Sequence, residues 1–323
     1  MKRIGVITSG GDAPGMNACI RAVVRAACQQ QIQVFGIFGG LQGLIDGNIS
    51  LLQTGDVANI IQRGGTILQS SRSEEFKTKE GRAKAYSIIL KHEIDGLVCI
   101  GGDGSYSAMK VFYDEFAVPS VGCPGTIDND IFGTDFTIGF DSAINTVVQA
   151  VDKIRDTAES HNNVFFVEVM GRHSGYIALF SGIASGAESI LMPEVQNDFE
   201  LLVNKFKNTS KRKKKFSIVI VAEGDEEGNA LQIAAKFKHI FPTLAPKVSV
   251  LGHIQRGGAP SAYDRILASR MGEAAVTSLI KGKHNVAVGV MANEIVLSNY
   301  SDAIGKKKEL DTEFVKLAEK LSL

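Results

Sequence analysis

The chain has 323 residues, 44% of them hydrophobic, and its 35 Lys and Arg balance 35 Asp and Glu for a net charge of zero. No uncharged apolar run approaches the roughly 18 residues of a membrane helix, and the composition is too apolar for a disordered chain. Because balanced charge gives no overall field to attract nucleic acid or an anionic membrane, we expect neither partner and place any anion site in a local cluster.

The length leaves room for two domains of roughly 100 to 200 residues each. The four cysteines form no CxxC pair and no metal-ligand spacing, which predicts reduced thiols in a cytoplasmic protein. The N-terminal apolar run is interrupted by Ser9-Gly10-Gly11-Asp12 before a signal-peptide core forms, so we expect no export signal.

Short β-branched runs alternate with segments of helical period along almost the whole chain, a pattern typical of stacked βαβ units. This pattern predicts an α/β fold of two Rossmann-like, three-layer α/β/α domains with mostly parallel sheets. Strands are predicted at 3–8, 33–38, 97–100, 119–122, 164–169, 217–222, 248–251 and 286–290, and helices at 16–30, 79–92, 105–116, 142–159, 175–186 and 263–281.

The long polar loop 124–141 predicts that the chain leaves its first domain near Gly139, and residues 252–258 predict its return. We therefore predict a discontinuous first domain of residues 1–138 and 252–305 and a second domain of residues 139–251. Residues 306–323 are expected to form a C-terminal segment that packs on the surface.

Glycine-rich turns follow several predicted strands, where an open α/β sheet has its ligand crevice. The turn 9–15 opens a helix, so its N–H groups can face an anion, although an ordinary βα turn has the same layout. In Gly101-Gly102-Asp103-Gly104-Ser105, the glycines let phosphates approach, and Asp103 predicts a Mg²⁺ ion between carboxylate and phosphate. The alternative is a turn with Asp as a helix cap.

The loop Pro124-Gly125-Thr126-Ile127-Asp128-Asn129-Asp130 holds two carboxylates at i and i+2 behind a hydroxyl. This arrangement suits general-base catalysis with Asp128 as the base, while an Asx-turn loop is the alternative.

Cationic turns also follow strands. Arg172 in Met170-Gly171-Arg172-His173-Ser174-Gly175 indicates an anionic substrate, and His253 with Arg256 repeats the pattern at i and i+3. Taken singly, each cation is also compatible with a surface ion pair, but Arg72 adds a further cationic turn. Glu223, at the end of a strand, suits sugar hydroxyls or a helix cap.

Two further basic features are weaker signals. Arg21 and Arg25, at i and i+4 on the first helix, suggest a second anion site. The basic runs 211–215 and 306–308 are expected to be solvated.

Together, the motifs closely resemble the bacterial 6-phosphofructokinase family over nearly the whole chain. The resemblance implies transfer of the γ-phosphoryl of ATP to the 1-hydroxyl of fructose 6-phosphate in glycolysis, by a Mg²⁺-dependent cytoplasmic homotetramer. The first domain would bind ATP and the second the sugar phosphate. The motifs are Gly10-Gly11-Asp12-Ala13-Pro14-Gly15-Met16-Asn17, Gly101-Gly102-Asp103-Gly104-Ser105, Pro124-Gly125-Thr126-Ile127-Asp128-Asn129-Asp130, Met170-Gly171-Arg172 and Gly252-His253-Ile254-Gln255-Arg256-Gly257-Gly258.

The resemblance also implies residue roles. ATP would be held by Gly11, Arg72, Ser73, Gly102, Asp103, Gly104 and Ser105, with Mg²⁺ on Asp103. The catalytic set would be Asp128 as base with Thr126, Arg172 and Arg72. Sugar-phosphate contacts would come from Thr126, Ile127, Asp128, Met170, Gly171, Arg172, Glu223, Lys247, His253, Ile254, Gln255, Arg256 and Asn163. A site for an ADP or phosphoenolpyruvate effector would use Arg21, Ala22, Val23, Val24, Arg25, Arg155, Gly186, Ala187, Glu188, Arg212, Lys214, Lys215 and Phe216.

Two glycines indicate which phosphoryl donor the chain uses. Pyrophosphate-using relatives carry Asp at the position of Gly104 and Lys at that of Gly125, whereas glycine leaves room for the α-phosphate of a nucleotide, so ATP is predicted.

Three positions depart from the bacterial pattern. Asn163 replaces an Arg that a neighbouring subunit usually contributes to the sugar 6-phosphate, and Lys247 replaces a second Arg. A charged hydrogen bond contributes roughly 1.5 to 3 kcal/mol, which predicts about tenfold weaker sugar binding or more. Thr54 replaces an Arg of the effector site, which predicts blunted allostery.

Other functions remain open. They are phosphoryl transfer to another sugar phosphate or from pyrophosphate, and a non-catalytic subunit that regulates a true kinase. Lipid and NAD kinases share the GGDG turn but lack the sugar-site motifs.

Overall fold

The computed structural model describes residues 1–161, 163–209 and 216–321. The chain forms two compact units. Unit 1 comprises Met1–Ile127, Ile131–Ser142 and Arg256–Lys308, and unit 2 comprises Asp128–Asp130, Ala143–Gln255 and Glu309–Leu323. Each unit has its own sheet with helices packed against it, and the mixed α/β architecture with mostly parallel strands confirms the predicted fold class. No helix in the described part of the chain is long and apolar enough to cross a membrane.

The strands are short, as the β-branched runs predict. They are β1 (Arg3–Thr8), β2 (Gln33–Ile37), β3 (Ile49–Leu52), β4 (Gly96–Gly101), β5 (Ser120–Pro124), β6 (Val164–Val169), β7 (Ser189–Leu191), β8 (Ser217–Ala222), β9 (Lys247–Val250), β10 (Val286–Met291) and β11 (Glu294–Asn299).

The helices follow most of these strands. They are α1 (Met16–Gln29), α2 (Gly40–Asp46), α3 (Lys79–Lys91), α4 (Asp103–Phe116), α5 (Phe140–His161), α6 (Tyr176–Ser185), α7 (Asp198–Thr209), α8 (Ala230–Ile240), α9 (Ala262–Ile280), α10 (Tyr300–Gly305) and α11 (Thr312–Leu321). Short 3-10 helices lie at Glu75–Lys77 and Gly252–Arg256.

The sheet of unit 1 has the strand order β11-β10-β5-β4-β1-β2-β3. The inner pairs are parallel, and only the outer pairs β2–β3 and β10–β11 are antiparallel. Every residue of β4 is buried, as expected for a strand that is covered by helices on both faces. From β1 the chain crosses to β2 on one side, and from β4 it crosses to β5 on the other. The carboxyl ends of β1 and β4 therefore form the topological switch point, where α/β sheets bind ligands.

The sheet of unit 2 has the order β7-β8-β6-β9 and is parallel throughout. Phe166 from β6 packs with Phe237 from α8 and Phe199 from α7 in its core. The turns that follow β6 and β8 lie side by side because these strands are hydrogen-bonded neighbours.

Each predicted strand and helix has a counterpart in the structure, with ends displaced by up to a few residues. The prediction omits β3, β7 and β11 and the helices α2, α7, α8, α10 and α11. All four cysteines are free, as predicted, and burial raises the pKa of Cys99 to about 12.

Candidate active site

Two glycine-rich turns meet at the switch point of unit 1. The amide of Ser9, after β1, donates to the carbonyl of Ile100 in β4 at 3.0 Å. A Cβ at Gly101 would lie 2.4 Å from both the Ser9 carbonyl oxygen and the Ser105 hydroxyl oxygen. Glycine at position 101 is therefore required for the two turns to pack together. The glycine that predicts a phosphate site in the sequence thus also has a packing role.

Asp103 and Gly104 begin helix α4 at the exposed end of the second turn. Apart from the chain neighbours and the backbone of α4 itself, no atom of the described residues lies within 4 Å of a Cβ built at Gly104, so a side chain there would project into open space. This differs from Gly125, where a Cβ would lie 2.9 Å from the Met16 methyl carbon. The missing side chain at Gly104 leaves space for a ligand, whereas the missing side chain at Gly125 leaves space for the buried Met16 side chain.

The fit of Mg²⁺ can be tested at Asp103. In the described part of the chain, no three His, Cys, Asp or Glu side chains are grouped so that they alone could hold a metal. Mg²⁺ commonly binds through one or two carboxylates together with waters and substrate phosphates. An exposed carboxylate at a helix N-terminus beside open space fits that mode.

The loop that carries Arg72 is fastened to the first turn. The Ser70 hydroxyl donates to the Gly10 carbonyl at 2.6 Å, and the Ser71 hydroxyl donates to the Gly39 carbonyl at 2.6 Å. The Arg72 side chain is exposed between these anchors and Ser73, whose hydroxyl donates to Gln42 at 2.7 Å. The Ser70 contact therefore holds the loop that carries Arg72 beside the first glycine turn.

An open cleft with a cavity volume of about 380 Å³ lies beside Gly104 in unit 1. Its volume lies within the usual range for small-molecule pockets. Arg82 lines the cleft, and its guanidinium forms a bidentate ion pair with Glu115, with both N···O distances 2.7 Å. Sequence reasoning found Ser73 and Gly104 of its lining but missed Leu41, Phe76, Lys77, Arg82, Ser107, Ala108 and Val111.

Arg256 lies in unit 1, on the first glycine turn. Its Nη1 donates to the Asp12 carbonyl at 3.3 Å, and a Cβ at Gly11 would lie 1.9 Å from the same nitrogen. The guanidinium therefore occupies space that only a glycine at position 11 leaves free. The sequence predicted Arg256 as a ligand of the sugar phosphate, and the structure places it over residues 10–12.

Thr126 follows β5 and is fixed by a neighbouring segment of unit 1. The Thr137 hydroxyl donates to the Thr126 carbonyl at 2.6 Å, and the Ile138 amide donates to the Pro124 carbonyl at 2.8 Å. Thr126 is partly exposed, whereas the side chain of Ile127, predicted to contact substrate, is completely buried.

In unit 2, Asp128 faces Arg172. The Arg172 Nε lies 3.6 Å from Asp128 Oδ2, and the Asp128 side chain is 4% exposed while that of Arg172 is 49% exposed. The Ser174 hydroxyl donates to the Asp128 carbonyl at 3.1 Å, which ties the loop to the turn after β6. The structure therefore joins the predicted base to a predicted cation.

Glu223, after β8, holds the backbone of that turn. Its Oε1 accepts hydrogen bonds from the amides of Gly171, at 3.2 Å, and Arg172, at 2.8 Å. Both residues have positive φ, +142° and +54°, and a Cβ at Gly224 would lie 1.8 Å from the Arg172 carbonyl oxygen. The turn is thus held in one conformation by its neighbours, and Glu223 shapes the surface that presents Met170, Gly171 and Arg172.

The Gly252–Arg256 turn contributes differently at each position. Gln255 is completely buried, and its Oε1 accepts from the Met170 amide at 3.3 Å. His253 and Ile254 are exposed. Gln255 thus supports the turn of Met170 from behind, a role that the motif alone did not indicate.

Asn163 and Lys247 lie away from these residues. Asn163 precedes β6, and Lys247 begins β9 opposite Phe165, so both are at the amino edge of the sheet. The six residues of β6 separate Asn163 from Met170, a length of about 20 Å at roughly 3.3 Å per residue, and Lys247 lies opposite the second of these six. Within unit 2, the structure does not bring them to the turn of Arg172.

The predicted effector residues fall into three groups. In unit 2, Arg155 donates to the carbonyls of Ser185 and Gly186, with its Cζ 5.8 Å from the Phe216 ring centroid. The neighbouring Ala187 and Glu188 are buried. In unit 1, Val23 and Val24 are core residues of α1, and Arg21, Ala22 and Arg25 are at least partly exposed. Arg212, Lys214 and Lys215 lie outside the described residues.

Comparison with known proteins gives a consistent result. The family model described as phosphofructokinase matches residues 3–279. A protein of Bacillus pumilus named ATP-dependent 6-phosphofructokinase is 53% identical over 323 residues, covering 100% of both chains. Proteins of Cytophaga hutchinsonii and Thermus thermophilus, with the names ATP-dependent 6-phosphofructokinase and ATP-dependent 6-phosphofructokinase 1, are each 52% identical, covering all of this chain and 98% and 100% of their own lengths.

Two solved structures are similar in fold. Phosphofructokinase from Saccharomyces cerevisiae is 34% identical with a TM-score of 0.89, and the match covers 100% of this chain and 47% of the yeast chain. A pyrophosphate-dependent phosphofructokinase from Marinobacter aquaeolei is 22% identical with a TM-score of 0.83, over 97% of this chain and 86% of its own.

Proposed function

Because the chain belongs to the phosphofructokinase family, we propose that it is an ATP-dependent 6-phosphofructokinase. It transfers the γ-phosphoryl of ATP to the 1-hydroxyl of fructose 6-phosphate, giving fructose 1,6-bisphosphate and ADP in glycolysis. The observation that carries this proposal is the buried Asp128 carboxylate beside the Arg172 guanidinium, in a chain about half identical to ATP-dependent relatives over its full length.

Unit 1 binds ATP. The cleft beside Gly104 accepts the nucleoside, and the open space at Gly104 accommodates phosphates between the glycine turn and Arg72. Backbone N–H groups at the start of α4 favour negative charge there. Asp103 holds Mg²⁺, which neutralises charge on the phosphates of ATP when bound.

Asp128 is the general base. It accepts the proton of the 1-hydroxyl as the sugar oxygen bonds to the γ-phosphorus and the bond from that phosphorus to the β-phosphate oxygen breaks. Arg172, whose Nε lies 3.6 Å from the carboxylate, pairs with it and faces the charge that develops during transfer. Thr126, held through its carbonyl by Thr137, and Arg72 orient the reacting groups.

The sugar phosphate is held by the surface of Met170, Gly171 and Arg172, which Glu223 and the buried Gln255 support, and by His253, Ile254 and Arg256. Asn163 and Lys247, at the opposite edge of their sheet, serve a neighbouring copy of the chain in a cytoplasmic homotetramer. ADP or phosphoenolpyruvate binds at the effector residues, and Thr54 blunts its effect.

The test is a set of initial rates with ATP and Mg²⁺ at low and high fructose 6-phosphate, beside a pyrophosphate control. Saturable turnover with ATP that is lost in Asp128→Ser supports the kinase. Turnover with pyrophosphate alone overturns the donor assignment, and turnover only with another sugar phosphate overturns the acceptor. A folded protein that binds ATP but turns over no acceptor indicates a regulatory subunit, for which the uncharged Asn163 is the motivating residue.

A further inference from the structure

A completely buried carboxylate in unit 1 is used by none of the steps above. Asp264 lies in the first turn of α9 and is 0% exposed. Its Oδ1 accepts from the Gly139 amide at 2.9 Å, and its Oδ2 accepts from the Ser142 amide at 2.8 Å and hydroxyl at 2.6 Å. A buried carboxylate is costly unless it is hydrogen-bonded, and these three donors compensate for its burial.

The donors lie where α5 begins and where the preceding segment passes β5. Thr137 and Ile138, directly before Gly139, make the hydrogen bonds to the Thr126 and Pro124 carbonyls. Asp264 is therefore connected to Thr126 by an unbroken series of contacts. Gly139 donates to Asp264, Gly139 follows Thr137 and Ile138 in sequence, and Thr137 donates to the Thr126 carbonyl.

The same residue adjoins the first glycine turn through its Cβ and backbone. A Cβ at Gly15 would lie 2.8 Å from the Ile138 side chain and 3.6 Å from Asp264 Cβ, and a Cβ at Gly139 would lie 2.7 Å from Ala13 Cβ. Both glycines have positive φ, +108° and +103°. Residues 13–15, residues 137–139 and Asp264 are thus packed too tightly for independent movement.

We propose that Asp264 is a positioning residue for phosphoryl transfer, which sets the 124–126 segment against the 9–15 turn through Gly139 and Ser142. It contacts neither substrate, and it controls how Thr126 is aligned with the 9–15 turn. This inference rests on the proposed function, since alignment matters only if the two segments serve one reaction.

The chemistry of the site requires a carboxylate. Three donors converge on its two oxygens, so an amide at 264 would direct one N–H group at another donor. The titratable groups around it are Asp141 of α5 and Tyr263 of α9. Burial raises the pKa of Asp264 to about 6, Asp141 adds to this, and the hydrogen bonds from Ser142 and Gly139 oppose it. Acidification therefore removes an acceptor from the network.

The experiment compares Asp264→Asn and Ser142→Ala with Glu273→Gln, the same acid-to-amide change at an exposed position of α9. We expect Asp264→Asn to lower kcat at least tenfold while the KM values for ATP and fructose 6-phosphate stay within threefold, and Ser142→Ala to lower kcat less. The ratio of wild-type to Asp264→Asn kcat should shrink as the pH falls from 7.5 to 5.5. Glu273→Gln should match the wild type throughout.

Amide hydrogen exchange gives a readout that does not depend on turnover. Peptides covering residues 124–139 should exchange faster in both variants than in Glu273→Gln. Wild-type kcat in Asp264→Asn, or a kcat ratio that does not change with pH, overturns the proposal. If Asp264→Asn does not fold, Ser142→Ala decides: unchanged kcat and exchange overturn the proposal. An inactive wild type refutes the proposed function instead. In that case, unchanged amide exchange of residues 124–139 in the variants would also refute the coupling of Asp264 to this segment.

Discussion

Two buried carboxyl groups, those of Asp198 and Asp225, lie close enough inside unit 2 to interact electrostatically, and the two residues are 5% and 7% exposed. Asp198 Oδ2 accepts from the Met192 amide at 2.8 Å, and Asp225 Oδ1 accepts from the Glu227 amide at 2.9 Å. Within the described residues, Asp198 Oδ1 and Asp225 Oδ2 are buried without a hydrogen-bond donor, so a proton on one of the two carboxyls would give the other oxygen a donor. A proton shared in this way would link the turn after β7, which Asp198 supports through Met192, to the turn that carries Glu223 and Asp225.

This pair predicts that stability falls as the pH rises. Burial, with the neighbouring Asp225, raises the pKa of Asp198 to about 7 from 3.8. The folded chain therefore keeps a proton that the unfolded chain releases, and the stability this gives is full below about pH 4 and lost as the pH passes about 7. Asp225→Asn supplies a permanent N–H donor, so we expect it to be more stable than the wild type at pH 8 by about 1 to 2 kcal/mol, and not at pH 5.

Urea unfolding at pH 5 and pH 8 measures this difference. The exposed Asp152→Asn on α5 is the control and should follow the wild type at both values. Parallel pH dependence in the wild type and Asp225→Asn would show that the two carboxyls do not share a proton.

Glu223 should affect binding of the sugar phosphate and not of ATP. Glu223→Ala removes the acceptor of the Gly171 and Arg172 amides, and a charged hydrogen bond contributes roughly 1.5 to 3 kcal/mol, so the KM for fructose 6-phosphate should rise about tenfold or more. Glu223→Gln keeps an acceptor oxygen and should give a smaller increase. Steady-state rates with each substrate varied in turn test this, with the exposed Glu200→Ala as control. An equal rise in both KM values would contradict a local role.

Gly104 should control the use of ATP. Because nothing lies within 4 Å of a Cβ there, both Gly104→Ala and Gly104→Asp should fold. The carboxylate would repel the phosphates of ATP, so we expect the KM for ATP to rise about tenfold or more in Gly104→Asp and at most about threefold in Gly104→Ala. The two KM values and the melting temperatures are the measurements. Equal KM values in the two variants would mean that phosphate does not pass this position.

Asn163 should limit affinity for fructose 6-phosphate. Asn163→Arg restores a guanidinium that can bind phosphate with two hydrogen bonds, which should lower the KM for fructose 6-phosphate about tenfold. Lys247→Arg keeps the charge and should lower it less. Saturation curves for both variants test the order. An unchanged KM in Asn163→Arg would show that this edge of the sheet does not meet the sugar phosphate.

The sequence was most informative where a strand ends in a turn. Gly101, Asp103 and Arg172 follow buried runs, and a parallel sheet places such residues along one edge, so their environments could be predicted. Short or irregular elements gave no comparable signal: β7 has three residues, and the cleft residues Phe76 and Lys77 lie in a 3-10 turn.

Pairings that are distant in sequence could not be predicted. Asp264 accepts from residues 125 and 122 positions away, and no periodicity indicates such a contact. Gln255 belongs to a motif with exposed neighbours, and only the structure shows that its side chain is buried beneath Met170.

The left-handed backbone of Arg172 has a consequence for selection. A non-glycine residue with φ of +54° costs about 1 kcal/mol relative to glycine, which adopts this conformation freely. A library of variants screened for thermal stability alone should therefore accumulate glycine at position 172, whereas a screen for growth on sugar should retain arginine. The two screens would diverge at this residue because its side chain is needed for chemistry that its backbone disfavours.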